Sequence, residues 1–175
     1  MFKNVLVAVD GSAHAMNAVT IAADIAQKFS AQLILLHVLG RGVASEVEIR
    51  EAEREHLVES AQSAAPSVAD APGRMDLSQR EQDQAARIRD VRHASGTELL
   101  RQAEEIAKTK GVDQIVQKLA EGNPAKHILA QADLYSVDLI VMGARGLSDI
   151  QGLLLGSVSH KVSHLAECAC LTVKG

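Results

Sequence analysis

The chain has 175 residues and a mass of 18.6 kDa, which is enough to bury a core without disulfides or a structural metal. Apolar residues make up 47%, the net charge is −4, and the aromatic residues are two Phe and one Tyr. These values exclude wholesale disorder and argue against a dedicated nucleic-acid binder, which needs a basic surface and a stacking platform. No apolar run approaches the roughly 20 residues of a membrane span and no signal segment opens the chain, so we expect a cytoplasmic protein without membrane contact.

The first 40 residues predict a strand, a helix and a second strand. Val5–Val9 is an apolar, β-branched run, which is typical of a strand buried on both faces. Residues 10–12 interrupt it, and Ser12 is predicted to cap a helix that begins at Ala13. A second strand is predicted over Leu33–Val38. A strand–helix–strand unit of this length predicts a parallel sheet covered by helices.

The same alternation resumes after residue 95. The pattern first predicts a helix with an apolar stripe from Leu99 to Ala107 that ends near Gly111, followed by a strand over Gln114–Leu119. A helix begun by Asn123 and Pro124 and a strand over Leu139–Met142 come next. The last two predicted elements are a helix over Ser157–Ala166 and a strand over Leu171–Val173. Five strands are therefore expected in one α/β domain over residues 1–175.

Residues 40–94 differ from the rest of the chain. The stretch from Glu46 to His56 is mostly charged, and Pro66 and Pro72 mark a linker. Residues 78–92 again mix charges with sparse apolar positions. We interpret this segment as two polar helices joined by a flexible link and inserted in a crossover. A tolerated surface insertion and a lid or partner surface both remain open.

A glycine loop follows the fourth predicted strand. Gly143 and Gly146 are three residues apart, and Gly156 comes directly before Ser157 at a predicted helix start. Glycines let the backbone turn and approach a ligand closely, and the free N–H groups of a helix start attract anions. This combination predicts a phosphate-binding loop, with an ordinary glycine loop as the alternative.

The spacing Gly-x2-Gly-x9-Gly-Ser after an Ile-Val-Met strand resembles the nucleotide signature of the universal stress protein family, in its ATP-binding branch. Strand one ending in Val-Ala-Val-Asp-Gly-Ser and strand two ending in His-Val are also similar to that family. The likeness covers residues 1–39 and about 96–175. Two departures are the longer 40–94 segment and the run from Cys168 to Leu171, where many members have Cys-Pro-Val. The second departure bears on the dimer edge.

The resemblance implies a Rossmann-like open sheet of five parallel strands in the order 3-2-1-4-5, with helices on both faces. It also implies ATP as the ligand, with AMP as the alternative and Mg²⁺ as companion, and a homodimer paired through the last strand. The roles implied by the family are adenine contacts from Ala8 and the Val38 backbone, a ribose or metal contact from Asp10, ribose contacts from Met142 and Gly143, the phosphate path at Arg145 and Gly146, and phosphate contacts from Gly156, Ser157, Val158 and Ser159.

Several of these residues also have simpler explanations. Asp10 could simply start a turn before the helix, Arg145 could be a loop charge beside Asp149, and Met142 could only fill the core. These alternatives stay open at the level of the sequence.

Histidines and cysteines elsewhere are interpreted as structural. His160 and His164 are four apart on a helix, a spacing that could bind a metal, but no third ligand follows at metalloprotease spacing. His37 within a strand is interpreted as a core or edge residue. Cys168 and Cys170 sit one residue apart, and packing is favoured over redox chemistry.

The sequence favours a nucleotide-dependent regulator of the stress response. The alternatives are a slow ATP hydrolase on the same scaffold and a nucleotide-free structural dimer. No Gly-x4-Gly-Lys-[Ser/Thr] motif occurs, and apart from Asp10 no general base with a placed partner is evident near the loop. We therefore expect no catalytic residues and at most slow hydrolysis.

Overall fold

The computed structural model describes residues 1–40, 77–147 and 155–174. Its elements in chain order are β1 (Asn4–Val9), α1 (Ala13–Phe29), β2 (Gln32–Leu39), α2 (Leu77–Thr109), β3 (Ile115–Glu121), α3 (Pro124–Leu134), β4 (Leu139–Gly143), α4 (Ser157–Leu165) and β5 (Ala169–Val173). Every strand expected from the sequence is present, with ends that differ by one or two residues. None of the helices in the described ranges is both long and apolar enough to cross a membrane.

The strands form a parallel five-stranded sheet in the order β3-β2-β1-β4-β5. This confirms the fold class and the order expected from the family resemblance. The chain winds outward from β1 to β3 and then returns to the other side of β1 at β4. Ligands of open α/β sheets bind at such a switch point, beyond the carboxyl ends of the strands. The ends of β1 and β4 therefore mark where a site is expected.

Apolar side chains fill a layer on each face of the sheet, as strands that are buried on both faces require. One layer packs Val5 and Val7 against α1 residues such as Ala22 and against Ala103 of α2. The other layer combines strand, α3 and α4 residues: Leu6, Ile34, Ile140, Ile128 and Val162. Helices thus lie on both faces, and the second layer runs up to the carboxyl edge of the sheet.

Two predicted helix starts have the geometry that the sequence indicated. The Ser12 hydroxyl accepts a hydrogen bond from the Ala15 amide at 3.2 Å, so it caps α1. The Asn123 side chain accepts from the Lys126 amide at 3.1 Å, and Pro124 occupies the first turn of α3. Both caps satisfy amides that have no partner inside the helix.

Helix α2 corrects the prediction for residues 78–92. The expected polar helix there and the expected stripe after residue 95 are one continuous helix, Leu77–Thr109. The Arg, Gln, Glu and Ala residues in between favour helix, and the one Gly costs only about 1 kcal/mol. That residue, Gly96, leaves room for packing, because a Cβ there would lie 2.9 Å from both His37 Cδ2 and Leu119 Cδ1.

The chain divides into two compact units, residues 1–41 with 96–175 and residues 42–95. The second unit is described only from residue 77, as the first part of α2. The polar helix expected over 46–56 and the linker with Pro66 and Pro72 lie outside the described residues.

Candidate functional site

An apolar surface lies on one face of the sheet at its carboxyl edge. Ala8, Val38 and Val158 are partly buried against the layer that contains Met142, and Ala8 pairs directly with Met142. Met142 itself is 3% exposed, so it serves the core whatever else it contacts. The less buried Ala8 and Val38 offer small apolar side chains against which a flat ring could lie.

Strand β2 extends beyond β1 at this edge. The paired register of β1 and β2 ends at Val9 and His37, whereas β2 stays paired with β3 as far as Leu39. The His37 ring nitrogen Nδ1 lies 2.7 Å from the Val9 carbonyl oxygen, where Nδ1 acts as the donor. Val38 therefore lies past the last β1 pair, with its backbone beside the switch point.

The Asp10 carboxylate is fixed through one of its oxygens. Oδ1 accepts hydrogen bonds from the Ser12 amide at 3.0 Å and from the Ser12 hydroxyl at 2.7 Å. The other oxygen, Oδ2, faces Gly146 so closely that any Cβ at Gly146 would collide with it. Asp10 thus starts the turn before α1, as its simpler explanation required, and presents its second oxygen to the glycine loop.

Gly143 is required by its protein neighbours. A Cβ there would lie 2.9 Å from the Arg145 carbonyl oxygen and from His14 Cβ, and 3.0 Å from the Ala15 amide nitrogen. Backbone atoms cannot move aside as a flexible side chain can. The end of β4 therefore approaches α1 closely because Gly143 has no side chain.

Gly156 has no comparable constraint among the described residues. Its φ of −73° and ψ of 163° are open to any residue, and the nearest neighbours of an added Cβ would be the Ala144 carbonyl oxygen and Arg145 Cα, both at 3.5 Å. Neither the backbone conformation nor the packing of the described residues requires a glycine here. A ligand close to the backbone would explain it.

The Ala144 peptide group connects the loop, α4 and β5. Its carbonyl oxygen accepts from the Gly156 amide at 2.7 Å and from the Ser159 hydroxyl at 2.8 Å. Its amide donates to the Val173 carbonyl oxygen at 2.7 Å. These bonds hold the first turn of α4 beside the end of β4.

The Ser159 hydroxyl lies within hydrogen-bond distance of two protein carbonyl oxygens, those of Ala144 and Gly156. A hydroxyl has one proton to donate, and that of Ser159 is directed at protein carbonyl groups, so it is not available to a phosphate in this arrangement. Ser157, by contrast, is exposed as the first residue of α4.

Arg145 links the loop to the turn before α1. Its carbonyl oxygen lies 3.5 Å from the Ser12 hydroxyl, and its Cα lies beside Gly156. Asp10, Ser12, Arg145, Gly146 and Gly156 are thereby brought together at the switch point. The remainder of the loop, 148–154, lies outside the described residues, and so does the Asp149 side chain that was considered as a partner for Arg145.

The universal stress protein family model matches residues 1–174 of this chain. The chain belongs to that family. Universal stress protein YxiE of Bacillus subtilis (strain 168) is 33% identical over 176 residues, covering 99% of this chain and all of the relative. A second relative, the universal stress protein in the QAH/OAS sulfhydrylase 3′ region of Thermus aquaticus, is 32% identical over 174 residues, covering 99% of this chain and all of the relative.

Solved structures agree with this assignment. Universal stress protein UspA from Lactobacillus plantarum has a TM-score of 0.70 at 23% identity, covering 98% of this chain and 97% of that one, and shows the same fold. A universal stress protein crystallised in complex with cAMP has a TM-score of 0.62 at 27% identity, with the same coverage.

Within the described ranges, no cluster of three or more His, Cys, Asp or Glu residues could hold a metal ion. His160 and His164 are exposed on α4. An ion at Asp10 would therefore need phosphate oxygens and water for its other ligands, which is the coordination that Mg²⁺ commonly adopts beside nucleotides.

The two cysteines line the apolar layer beneath β5. Cys168 and Cys170 are free thiols, partly buried against that layer, and the Cys170 sulfur lies 3.8 Å from the Cys168 carbonyl oxygen. Burial raises the pKa of both thiols, which disfavours the reactive thiolate. These contacts agree with a packing role.

Strand β5 is the last strand on its side of the sheet and pairs with β4. Ala169 and Leu171 are exposed there, and 36% of the Leu171 surface is accessible. An edge strand carries backbone groups that another chain can pair with.

Two features of the site were not predicted from the sequence. The first is the Ala144 peptide as the shared anchor of α4 and β5, because a backbone contact carries no residue preference. The second is Ser12, which orients Asp10 as well as capping α1. The Asp-x-Ser spacing is the signal that could have identified this second role, since Asp and Ser both bond the backbone of nearby residues in turns.

Proposed function

We propose that this universal stress protein binds ATP at the carboxyl edge of β1, β2 and β4 and acts as a nucleotide-dependent regulator in the stress response. The observation that carries the proposal is Gly156, a glycine that no described protein neighbour requires, at the start of a helix anchored beside Asp10 and Gly146. A phosphate chain needs such a bare helix start, because its oxygens must reach backbone amides.

Each part of the nucleotide has residues of matching chemistry. The adenine would lie against Ala8 and would contact the backbone of Val38. Both residues have apolar side chains and are partly exposed. The ribose would lie near Met142, Gly143 and Asp10. The phosphates would follow Arg145 and Gly146 past Gly156 to the amides of Ser157 and Val158, because the Gly156 amide donates to the Ala144 carbonyl oxygen.

Magnesium fits the proposal through Asp10 Oδ2. This oxygen faces the loop and is not used by the turn that holds Oδ1. Bound Mg²⁺ would neutralise part of the phosphate charge. The metal requires the nucleotide as a co-ligand, so we expect Mg²⁺ to bind with ATP and only weakly alone.

Support for a nucleotide ligand also comes from the relative solved with cAMP, which shares 27% of its sequence with this chain. Cyclic AMP is therefore a necessary competitor in any binding test. We also propose a homodimer paired through β5, and a cytoplasmic location. Cross-linking and cell fractionation test these two assignments.

The proposal is tested by titrating nucleotide-free protein with ATP, AMP and cAMP in a calorimeter, with and without Mg²⁺. We expect ATP with Mg²⁺ to bind tightest. Since the chain has no Trp and one Tyr, an adenine nucleotide that co-purifies with the protein would also be visible as excess absorbance near 260 nm. Absence of binding by all three nucleotides would favour the nucleotide-free dimer instead.

Regulator and hydrolase are separated by incubating the protein with ATP and resolving the products by chromatography. ATP turnover at about one per second or faster, as enzymes commonly achieve, would contradict the proposed regulatory role. Slower turnover agrees with a binding protein in which Asp10, the candidate base, has an oxygen held by Ser12.

A further inference from the structure

Ser159 has an unusual environment for a polar side chain in this protein. In the part of the chain that the structure describes, it is the one buried polar residue, with 4% of its surface exposed. Its hydroxyl donates to the carbonyl oxygen of Ala144, a residue 15 positions earlier, at 2.8 Å. A buried hydroxyl that bonds so far along the chain fixes one segment against another.

The same carbonyl group also anchors the residue that begins the helix. The Gly156 amide donates to the Ala144 oxygen at 2.7 Å, so this oxygen receives two hydrogen bonds, one for each lone pair. The Ser159 hydroxyl lies 3.0 Å from the Gly156 carbonyl oxygen as well. Ser159 thus ties the first turn of α4 both to its own start and to the end of β4.

The direction of the helix start depends on this tie. The first amides of a helix have no partner within it, and they bind an anion only if they point at it. Rotation of the first turn about the Gly156–Ala144 bond would change where those amides point. The second bond, from Ser159, removes that freedom.

We propose that Ser159 is a positioning residue for nucleotide binding: its side chain does not contact the phosphates, but holds the first turn of α4 on Ala144 so that the amides from Ser157 onward face them. This inference rests on the proposed function. It assigns the phosphate contacts in α4 to Ser157 and the backbone, and the orientation of that backbone to Ser159.

The test compares Ser159→Ala with Ser157→Ala and with Ser163→Ala, an exposed serine on the same helix that serves as the matched control. We expect Ser159→Ala to lower ATP affinity about tenfold and to speed amide hydrogen exchange at Gly156 about tenfold in the nucleotide-free protein. Adenosine, which has no phosphates, should bind as to the wild type. Ser159→Thr, which keeps the hydroxyl, should restore both quantities.

The variants separate three explanations. Loss of ATP affinity in Ser159→Ala with unchanged exchange at Gly156 would make Ser159 a direct phosphate ligand and overturn the proposal. Faster exchange throughout the sheet, or failure to fold, would show a merely structural role and also overturn it. Ser157→Ala should lower ATP affinity without changing exchange at Gly156.

The proposed function fails separately. If the wild type binds neither ATP nor adenosine, no nucleotide site exists and the positioning role falls with it. The exchange measurement would still decide whether the Ser159 hydroxyl holds the helix start, because it needs no ligand.

Discussion

Gly143 and Gly156 are the first and last glycines of the loop signature, and their surroundings differ. An added Cβ at Gly143 would lie within 3.0 Å of backbone atoms of Arg145 and Ala15. Among the described residues, an added Cβ at Gly156 would have no neighbour nearer than 3.5 Å. Described neighbours require the first glycine, whereas none of them requires the second, so a ligand could approach the second closely.

This difference shows that one signature can combine two kinds of constraint. Gly146 is an intermediate case. A side chain there would collide with the carboxylate of Asp10, which is a side-chain group, and not with backbone atoms. Substitutions at the two ends of the loop should therefore separate stability from binding.

The largest effect is expected for Gly156→Val on nucleotide binding. The β-branched side chain would occupy the space beside the helix start, so ATP affinity should fall by more than the roughly hundredfold that loss of one charged hydrogen bond can cause. Calorimetric titration of ATP with Mg²⁺ measures the change.

The control for Gly156→Val is its own stability. Valine is a poorer helix cap than glycine but restricts the unfolded chain, so we expect the free energy of unfolding to change by no more than about 1 kcal/mol. Binding at the wild-type affinity would show that no phosphate reaches this residue.

A smaller loss of binding is expected for Ser157→Ala. The hydroxyl is exposed at the first position of α4, and a hydrogen bond to a charged phosphate contributes about 1.5–3 kcal/mol, so ATP affinity should fall about ten- to hundredfold. Adenosine affinity, measured in the same titration series, should not change. Equal losses for ATP and adenosine would move Ser157 away from the phosphates.

Gly143→Ala is expected to lower the stability of the protein rather than its affinity for ATP. The added methyl group would press on the backbone of Arg145 and Ala15, which resembles overpacking of a core and should reduce the free energy of unfolding by about 1–3 kcal/mol. Urea unfolding measures this loss. If the variant is as stable as the wild type, the close approach of β4 to α1 does not depend on this glycine.

The sequence predicted the sheet well because its strands are continuous apolar runs and two of its helices begin with recognisable caps, Ser12 and Asn123. It predicted the polar helix over residues 78–92 but not its continuation, because the polar pattern gave no sign that the helix runs through Gly96 into the packed part of α2. The reason is that a single glycine is a weak helix breaker when good helix formers surround it.

For the candidate site, the sequence indicated which residues lie near the switch point but not how they are held. Spacing alone could not distinguish Ser157, which is exposed, from Ser159, whose hydroxyl is bonded to Ala144. Both are serines at the start of one helix, and burial, which depends on the position of β4, decides between their roles.

The smallest effect is expected at the opposite end of β4, where Asp138 precedes the strand. Its Oδ2 accepts hydrogen bonds from the Lys3 amide at 2.6 Å and the Asn4 amide at 3.0 Å, and the amides of Asn4 and Lys3 lower its pKa. A lowered pKa in the folded state means that the carboxylate stabilises the fold above its unfolded pKa, about 3.9, and that this contribution disappears as the pH falls through the folded value. Asp138→Asn should therefore be less stable than the wild type at pH 7, by a difference that is constant down to about pH 5 and shrinks at lower pH.

Urea unfolding of both proteins between pH 7 and pH 3 measures this difference, with ATP affinity at pH 7 as the second readout. Because Asp138 lies a full strand length from Gly143, its replacement should leave ATP binding unchanged. A stability difference that persists undiminished to pH 3 would mean that the charge of Asp138 is not what holds the start of β1. A loss of ATP affinity as large as that of Ser157→Ala would mean that strain at one end of β4 reaches the loop at the other, and the separation of stability from binding drawn from the two glycines would then fail.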